Sequence, residues 1–284
     1  MILYGDPVKE KIRSKIKNNL KNFDVTHKYV GILLLNDDPS SYAYVNKKKE
    51  FGNELGIDVV IHDRMSSQIN PDSSENIIHN IKAMNEDPFC VGIVVQLPLP
   101  KNLKSHQSEI LSSIDPQKDI DGLGGVNFGL SSIGFNNFIP ATPKAVINIL
   151  NYYNLDEFRG KKVTILGQSN LVGKPLAMDM IKKGAEVFSF NEYADIEDMK
   201  MFSKNSDYII SATGKSNLID ENFVAKDGSQ VLIDVGWTKE DGKVKGDIDF
   251  DFLKDQVRAI TPVPGGVGPV TVASLFENIF YLQG

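Results

Sequence analysis

One cysteine, one tryptophan and four arginines stand among the 284 residues. With a single thiol no internal disulfide can form. Cys90 lies in an apolar run and reads as a buried, inert side chain of a protein kept in a reducing cytoplasm. No apolar run reaches the ~20 residues of a membrane-spanning helix. The longest strong ones, Val30–Leu35 and Val91–Leu97, have the length of strands. The opening Met1-Ile2-Leu3-Tyr4-Gly5-Asp6 lacks a basic start followed by an apolar stretch, so no signal peptide is expected. Basic charge is not in excess, with 31 Lys and Arg against 37 Asp and Glu, which argues against nucleic acid as a partner. No set of His, Cys and Asp has metal-ligand spacing, and no Ser-His-Asp arrangement is suggested. His27, His62, His79 and His106 are expected at the surface. The remaining composition, 41% hydrophobic and 24% charged, is that of an ordinary globular protein, and the length suggests two domains.

Apolar runs alternate with helical patterns along most of the chain. Asp6-Pro7 reads as a helix start, followed by Val8, Ile12, Ile16 and Leu20 at helical spacing. A strand over 29–35, a helix over 40–55 ending at Gly56, a strand over 57–61, a helix opened by Pro71-Asp72-Ser73 and a strand over 91–95 follow. After an irregular stretch over 100–139, the alternation resumes. A helix runs from Thr142-Pro143 to Tyr153. Strands are read at 163–166, 187–190, 208–210 and 231–235, with helices beginning near Gly173 and over 195–204. Continuous apolar strands alternating with helices imply parallel sheets covered on both faces. Two such units place ligand sites at the carboxyl ends of strands, often in the cleft between domains. The irregular stretch, rich in Asp, Gly, Asn and Ser, is the best candidate for a functional junction. The final helix is expected to be short.

The strand at 163–166 runs into Gly167-Gln168-Ser169-Asn170-Leu171-Val172-Gly173-Lys174-Pro175. Glycine at a strand end allows close backbone approach, and the following helix start favours a phosphate. The spacing is not the usual G-x-G-x-x-G; an ordinary turn is the plain alternative, and strand-turn-helix context favours nucleotide binding. Ser211-Ala212-Thr213-Gly214 and Asp234-Val235-Gly236 are further strand ends open to a ligand. At the end of the next strand, Asn191-Glu192-Tyr193-Ala194 stands where an acidic residue would accept bonds from the free ribose hydroxyls of NAD and a basic one would receive the extra phosphate of NADP. No Arg lies between Arg159 and Arg258; Lys174, Lys182 and Lys183 remain as phosphate partners, and Glu192 can equally be a solvated charge.

In the first half, Ser41-Tyr42-Ala43-Tyr44-Val45-Asn46-Lys47-Lys48-Lys49 places Ser41, Tyr44 and Lys48 near one helix face. Burial of Lys48 would lower its pKa and make it a proton shuttle; a solvated basic face is the alternative. Gln96-Leu97-Pro98-Leu99-Pro100 holds Gln96 at a strand's carboxyl end, where it can bond a lysine amine or a heterocycle. Lys118-Asp119-Ile120-Asp121-Gly122 offers either a carboxylate for a ring N–H pair or a turn-forming Asp. Pro264-Gly265-Gly266-Val267-Gly268-Pro269 is a rigid loop permitting close backbone contact.

Together these motifs resemble the bifunctional methylenetetrahydrofolate dehydrogenase/methenyltetrahydrofolate cyclohydrolase family. The likeness extends over essentially the whole chain and includes Thr142-Pro143, Gly246-Asp247-Ile248-Asp249 and the run Thr261–Pro269. It implies two open parallel-sheet α/β domains, the second Rossmann-like, with an active-site cleft between them. Residues 1–140 plus 268–284 would form the folate-binding catalytic domain and 141–267 the dinucleotide-binding domain. It implies an enzyme of one-carbon metabolism, serving purine and amino-acid synthesis. The enzyme oxidises 5,10-methylenetetrahydrofolate by hydride transfer to a nicotinamide cofactor, then hydrolyses the methenyl product to 10-formyltetrahydrofolate. Lys48 would be the acid/base of hydrolysis, Tyr44 would order it and line the folate site, and Gln96 would keep its pKa low. Asp121 would hold the pterin, with Ser41, Pro264, Gly265 and Gly266 also at the substrate. Gly167, Gln168, Ser169, Val172, Gly173, Glu192, Thr213 and Gly214 would meet the cofactor. The family default is NADP, without a metal, in a cytoplasmic homodimer. Yet NADP-using members often carry Arg where Gln168 stands and a His-Ser-x-Thr-like stretch at 191–194, so the residues here point as much to NAD. Trp237 replaces a usual aliphatic residue. The competing readings are a dehydrogenase without hydrolysis, opposed by Tyr44, Lys48 and Gln96; a silent folate- or nucleotide-binding protein; and a dehydrogenase of amino or hydroxy acids.

Overall fold

The computed structural model describes residues 1–63, 70, 72–135 and 138–283; Pro71, read above as part of a helix opening, lies outside them. The chain divides into two units, one of residues 12–130 with 272–284 and the other of residues 1–11 with 131–271.

Helix α1 (Gly5–Asn19) starts the chain and ends in a tighter turn at Leu20–Asn22. In the unit of 12–130 and 272–284, β1 (Tyr29–Leu34), α2 (Pro39–Leu55), β2 (Asp58–Asp63), α3 (Ser74–Glu86) and β3 (Cys90–Val95) follow in order. The three strands pair in parallel in the order β2-β1-β3. Their continuous apolar sequences are explained by burial: every residue of β3 and all but the first of β1 are buried. Asp38 caps α2 by accepting from the Ser40 N–H, Pro39 takes a first-turn position, and Gly56 closes the helix at φ 75°. The stretch expected to be irregular contains two short helices, α4 (Gln107–Ser112) and α5 (Gly125–Ser132). Their few apolar residues gave no helical period to read.

In the unit of 1–11 and 131–271 come α6 (Ala141–Tyr152), β4 (Lys162–Leu166), α7 (Gly173–Lys182), β5 (Glu186–Phe190), α8 (Ile196–Lys204), β6 (Tyr208–Ser211) and β7 (Val231–Asp234). A hairpin of β8 (Trp237–Glu240) and β9 (Lys243–Gly246), then α9 (Phe250–Leu253) and β10 (Ala259–Ile260), complete it. Five parallel strands order as β10-β7-β6-β4-β5. The order reverses at β4, with β5 on one side and β6 on the other, the switch point at which doubly wound sheets bind ligands. Residues 1–11 group here rather than with the first half, where the sequence reading had them. The cause is pairing: Ile2 bridges to Ile260, and the Leu3 N–H donates to the Ile260 carbonyl at 2.8 Å.

The last helix, α10 (Val267–Gln283), is 17 residues long, not short as expected. Gly268 and Pro269, read as loop, occupy its first turn, where proline's missing N–H costs nothing. Cys90 is buried as expected, but His62 is half-buried, with Nε2 enclosed and without a hydrogen-bond partner among the described residues, rather than at the surface. No helix among the described residues is long and apolar enough to cross a membrane.

Candidate active site

The buried face of α2 carries Ser41, Val45, Lys48, Gly52 and Leu55, successive members of one helical stripe. Lys48 thus occupies a core position and is 4% exposed, whereas Lys47 and Lys49 on the outer face are exposed. Its Nζ donates to Gln96 Oε1 at 3.0 Å and lies 5.1 Å from the centre of the Tyr44 ring. Gln96 Nε2 donates to the Leu97 carbonyl at 2.8 Å, which turns the amide oxygen toward the lysine. Burial holds the Lys48 pKa below the usual lysine range, against the opposing charge of Asp121.

Of the two roles left open by the sequence, the turn-forming one falls to Asp119. Asp119, almost wholly buried, accepts from the backbone N–H groups of Gly122, Leu123 and Gly124 at 3.0, 3.3 and 2.9 Å. It is the turn former, and burial pushes its pKa up to about 6. Asp121 stays partly accessible beside Lys48, its pKa raised by burial and lowered by the lysine charge. Two residues that the sequence reading gave no role fix this loop. The Lys118 ammonium donates to the carbonyls of Met84, Asn85 and Asp87 at the end of α3, and Asn278 on α10 donates to the Ile120 carbonyl. Ser41, Tyr44, Lys48, Gln96 and Asp121 therefore all belong to the first-described unit, with Lys48 touching Gln96 and Tyr44 and interacting with Asp121.

The nucleotide candidates belong to the other unit. Gly167 follows β4 with φ 110°, and a Cβ there would stand 2.4 Å from the Ala212 carbonyl oxygen. A Cβ on Gly173 would stand 1.7 Å from the Gly167 carbonyl oxygen. Both positions demand glycine, for positive φ at one and backbone-to-backbone packing at both. Between them Ser169 Oγ accepts from the Val172 N–H, and α7 begins at Gly173, with the Lys174 N–H donating to the Ser169 carbonyl at 3.1 Å. A glycine cradle at the switch point, opening on a helix start, fits a dinucleotide phosphate. Gln168 Nε2 donates to the Ser189 carbonyl at 2.9 Å, while Glu192 is exposed beyond β5 and makes no ion pair among the described residues. Thr213 and Gly214 follow β6, with their N–H groups directed to Asp247. Pro264, Gly265 and Gly266 precede α10, with the Gly5 N–H donating to the Gly265 carbonyl at 2.7 Å. Among the described residues no group of His, Cys, Asp and Glu could hold a metal.

The Asp234-Val235-Gly236 strand end carries a buried acid, Asp234, at the end of β7. Burial pushes its pKa up to about 8, and the neighbouring Asp247 carboxylate adds to the rise. The folded protein then holds a proton that the unfolded chain releases near pH 4. Stability from this group is therefore full at low pH and lost as pH rises toward 8, at up to ~1.4 kcal/mol per pH unit. The melting temperature is expected to fall from pH 6.5 to 8, a range set by that shift, and Asp234→Asn to flatten the fall. Equal slopes for both proteins in thermal melts would contradict the assignment.

The sheet order and these two sets of side chains define a two-unit α/β enzyme with a buried lysine centre and a glycine-rich turn at the switch point of its second sheet. Comparison with known proteins specifies it further. Residues 3–121 match the tetrahydrofolate dehydrogenase/cyclohydrolase catalytic domain and residues 140–283 the NAD(P)-binding domain of the same family. The bifunctional protein FolD of Mycoplasma mycoides is 38% identical over 99% of this chain and 96% of its own length. The crystal structure of bifunctional methylenetetrahydrofolate dehydrogenase/cyclohydrolase from Campylobacter jejuni superposes with a TM-score of 0.87 at 32% identity, covering 99% of this chain and 98% of that one. That of the Trypanosoma brucei enzyme, complexed with NADP cofactor and inhibitor, superposes at 0.89 with 27% identity over 99% and 96%. The chain belongs to the tetrahydrofolate dehydrogenase/cyclohydrolase family. It is an enzyme of both activities, oxidoreductase and hydrolase, and uses a nicotinamide cofactor.

Proposed function

We propose that the two activities are divided between the two sets of residues: the lysine centre performs hydrolysis, and the glycine turn serves hydride transfer. The folate-binding domain is then residues 1–140 with 268–284 and the dinucleotide-binding domain 141–267, although residues 1–11, 131–140 and 268–271 group by contacts with the latter. The observation that carries this reading is a lysine buried in the core stripe of α2 and hydrogen-bonded to one oriented glutamine.

In the first step 5,10-methylenetetrahydrofolate loses hydride from its bridging carbon and becomes the methenyl cation. Bound nicotinamide supplies the hydride acceptor, so the chain's part is binding and orientation rather than proton transfer. Asp121 receives the pterin N–H groups, with Ser41, Tyr44 and the Pro264-Gly265-Gly266 loop also at the substrate. In the second step water adds to the methenyl carbon. Neutral Lys48 takes one proton from that water and returns it to the ring nitrogen as the C–N bond breaks; the second water proton leaves to solvent, so the oxygen becomes the carbonyl of the formyl group on the other nitrogen. Gln96 accepts from the lysine and holds its amine in place, and burial of that amine keeps it dry and its pKa low.

Gly167, Ser169, Val172 and Gly173 would cradle the pyrophosphate, with Gln168, Glu192, Thr213 and Gly214 around the rest of the cofactor. NADP is the first reading of its identity, the cofactor present in the Trypanosoma brucei relative. A second reading, NAD, is favoured by exposed Glu192, which would repel a 2′-phosphate, and by Gln168, which offers no charge and whose amide is held by Ser189. Initial rates with each cofactor decide. A native preference for NAD, with NADP use rising about tenfold in Glu192→Ser, supports the second reading. A native preference for NADP that Glu192→Ser leaves in place supports the first. A cytoplasmic homodimer completes the reading; light scattering at the monomer mass would remove the dimer.

A further inference from the structure

Two motifs of the nucleotide unit, Asp234-Val235-Gly236 and Gly246-Asp247-Ile248, interlock through their carboxylates. Asp234 Oδ1 accepts from the Asp247 N–H at 3.1 Å and Oδ2 from the Ile248 N–H at 2.9 Å. Asp247 reaches in turn to the end of the neighbouring strand. Its Oδ2 accepts from Ser211 Oγ at 2.8 Å, Thr213 Oγ1 at 2.8 Å, the Thr213 N–H at 2.6 Å and the Gly214 N–H at 3.3 Å. Each carboxylate fills the space that the other motif's glycine leaves. A Cβ at Gly236 would lie 2.1 Å from Asp247 Oδ2, and one at Gly246 would lie 2.1 Å from Asp234 Oδ2. The motif glycines are thus explained by the motif aspartates.

Both carboxylates are buried, at 2% and 0% exposure, and neither forms an ion pair with a cation among the described residues. Asp247 Oδ1 is enclosed without a hydrogen-bond partner among the described residues. Burying a carboxylate in this way costs stability that an apolar side chain would not. What it obtains is the shape of one turn, Ser211–Gly214. That turn lies at the switch point, its Ala212 carbonyl packed against Gly167, so any shift in it meets the glycine cradle directly.

We propose that Asp247 is a positioning residue for the dehydrogenase reaction, pinning the Ser211–Gly214 turn in the form that receives the dinucleotide, with Asp234 holding Asp247 in place. This rests on the reading above that Thr213 and Gly214 meet the cofactor. Asp247 donates nothing to the cofactor itself; it consumes the turn's own N–H groups, so the ligand meets a turn whose backbone donors are already satisfied.

The test is isothermal titration of NADP and of NAD into the native protein, Asp247→Asn and Ser211→Ala, beside both activity assays. Hydrolysis is assayed with methenyltetrahydrofolate alone, without nicotinamide. Asp247→Asn is expected to weaken dinucleotide binding by about tenfold or more and to raise the cofactor KM by the same factor. Hydrolysis should stay within about twofold of native. Ser211→Ala, which removes one of the four donors, should shift binding the same way by about threefold, and it decides the matter if Asp247→Asn does not fold. Native binding that neither folded variant changes, or hydrolysis falling in parallel with binding, would overturn the inference. If the native protein binds neither dinucleotide, the reading of the turn as a cofactor site fails instead.

Discussion

Lys48→Met is expected to lower methenyltetrahydrofolate hydrolysis by about a thousandfold while leaving methylenetetrahydrofolate oxidation within about tenfold of native. Methionine has nearly the length and shape of the lysine stem, so the core stripe formed by Val45, Gly52 and Leu55 stays filled. Only the amine is lost. The hydrolytic step needs a base for water and an acid for the departing ring nitrogen, and on the proposal above Lys48 serves as both. The oxidation step needs neither. Because burial holds the lysine pKa down, the amine form is reached at a lower pH than for a solvated lysine. Native hydrolysis should therefore rise with pH through that lowered pKa and then level off, while oxidation does not follow the same curve. Parallel loss of both activities in Lys48→Met, measured on folded protein, would assign the lysine to substrate binding instead.

Gly173→Ala is expected to reduce oxidation by about a hundredfold or more and to spare hydrolysis. The added methyl would stand 1.7 Å from the Gly167 carbonyl oxygen and 2.7 Å from its carbon, and neither atom can rotate away. Either the start of α7 or the turn after β4 must move, and the cradle is formed by both. The lysine centre lies in the other unit of the chain. Steady-state rates of the two reactions on one preparation, with a thermal melt to show folding, check this. Unchanged oxidation would place the cofactor away from the turn.

The parallel sheets were legible because β1, β3, β4, β6 and β7 are buried along nearly their whole length and so read as unbroken apolar runs, whereas the edge strands β2 and β5 are partly exposed. The lysine was legible in part. Ser41, Val45, Lys48, Gly52 and Leu55 form a single stripe, and a cation in a core stripe is a signal in itself. The sequence motif alone favoured a solvated basic face over a buried base. The hairpin of β8 and β9 was missed because Trp237-Thr-Lys-Glu and Lys-Val-Lys-Gly show little apolar alternation. A cue was present in Asp241-Gly242, whose φ values of 51° and 75° make the tight turn between the strands. Asp119 and Asp121 could not be told apart, since which carboxylate folds back on its own turn depends on packing beyond the motif. Asp234 and Asp247 were visible as motif residues but not as a buried pair. Carboxylates normally favour the surface, and only the touching glycines Gly236 and Gly246 reveal the exception. The pairing of Ile2 with Ile260 joins residues far apart in sequence and left no local trace.

The most direct test is a pair of initial rates on one native preparation. Nicotinamide reduction by 5,10-methylenetetrahydrofolate is followed with NADP and with NAD, beside hydrolysis of 5,10-methenyltetrahydrofolate. Both reactions are expected, with at least one cofactor supporting the first and 10-formyltetrahydrofolate as the product of the second. Oxidation without hydrolysis would contradict the role given to Lys48, Gln96 and Tyr44, and no oxidation with either cofactor would contradict the assignment of the activity itself.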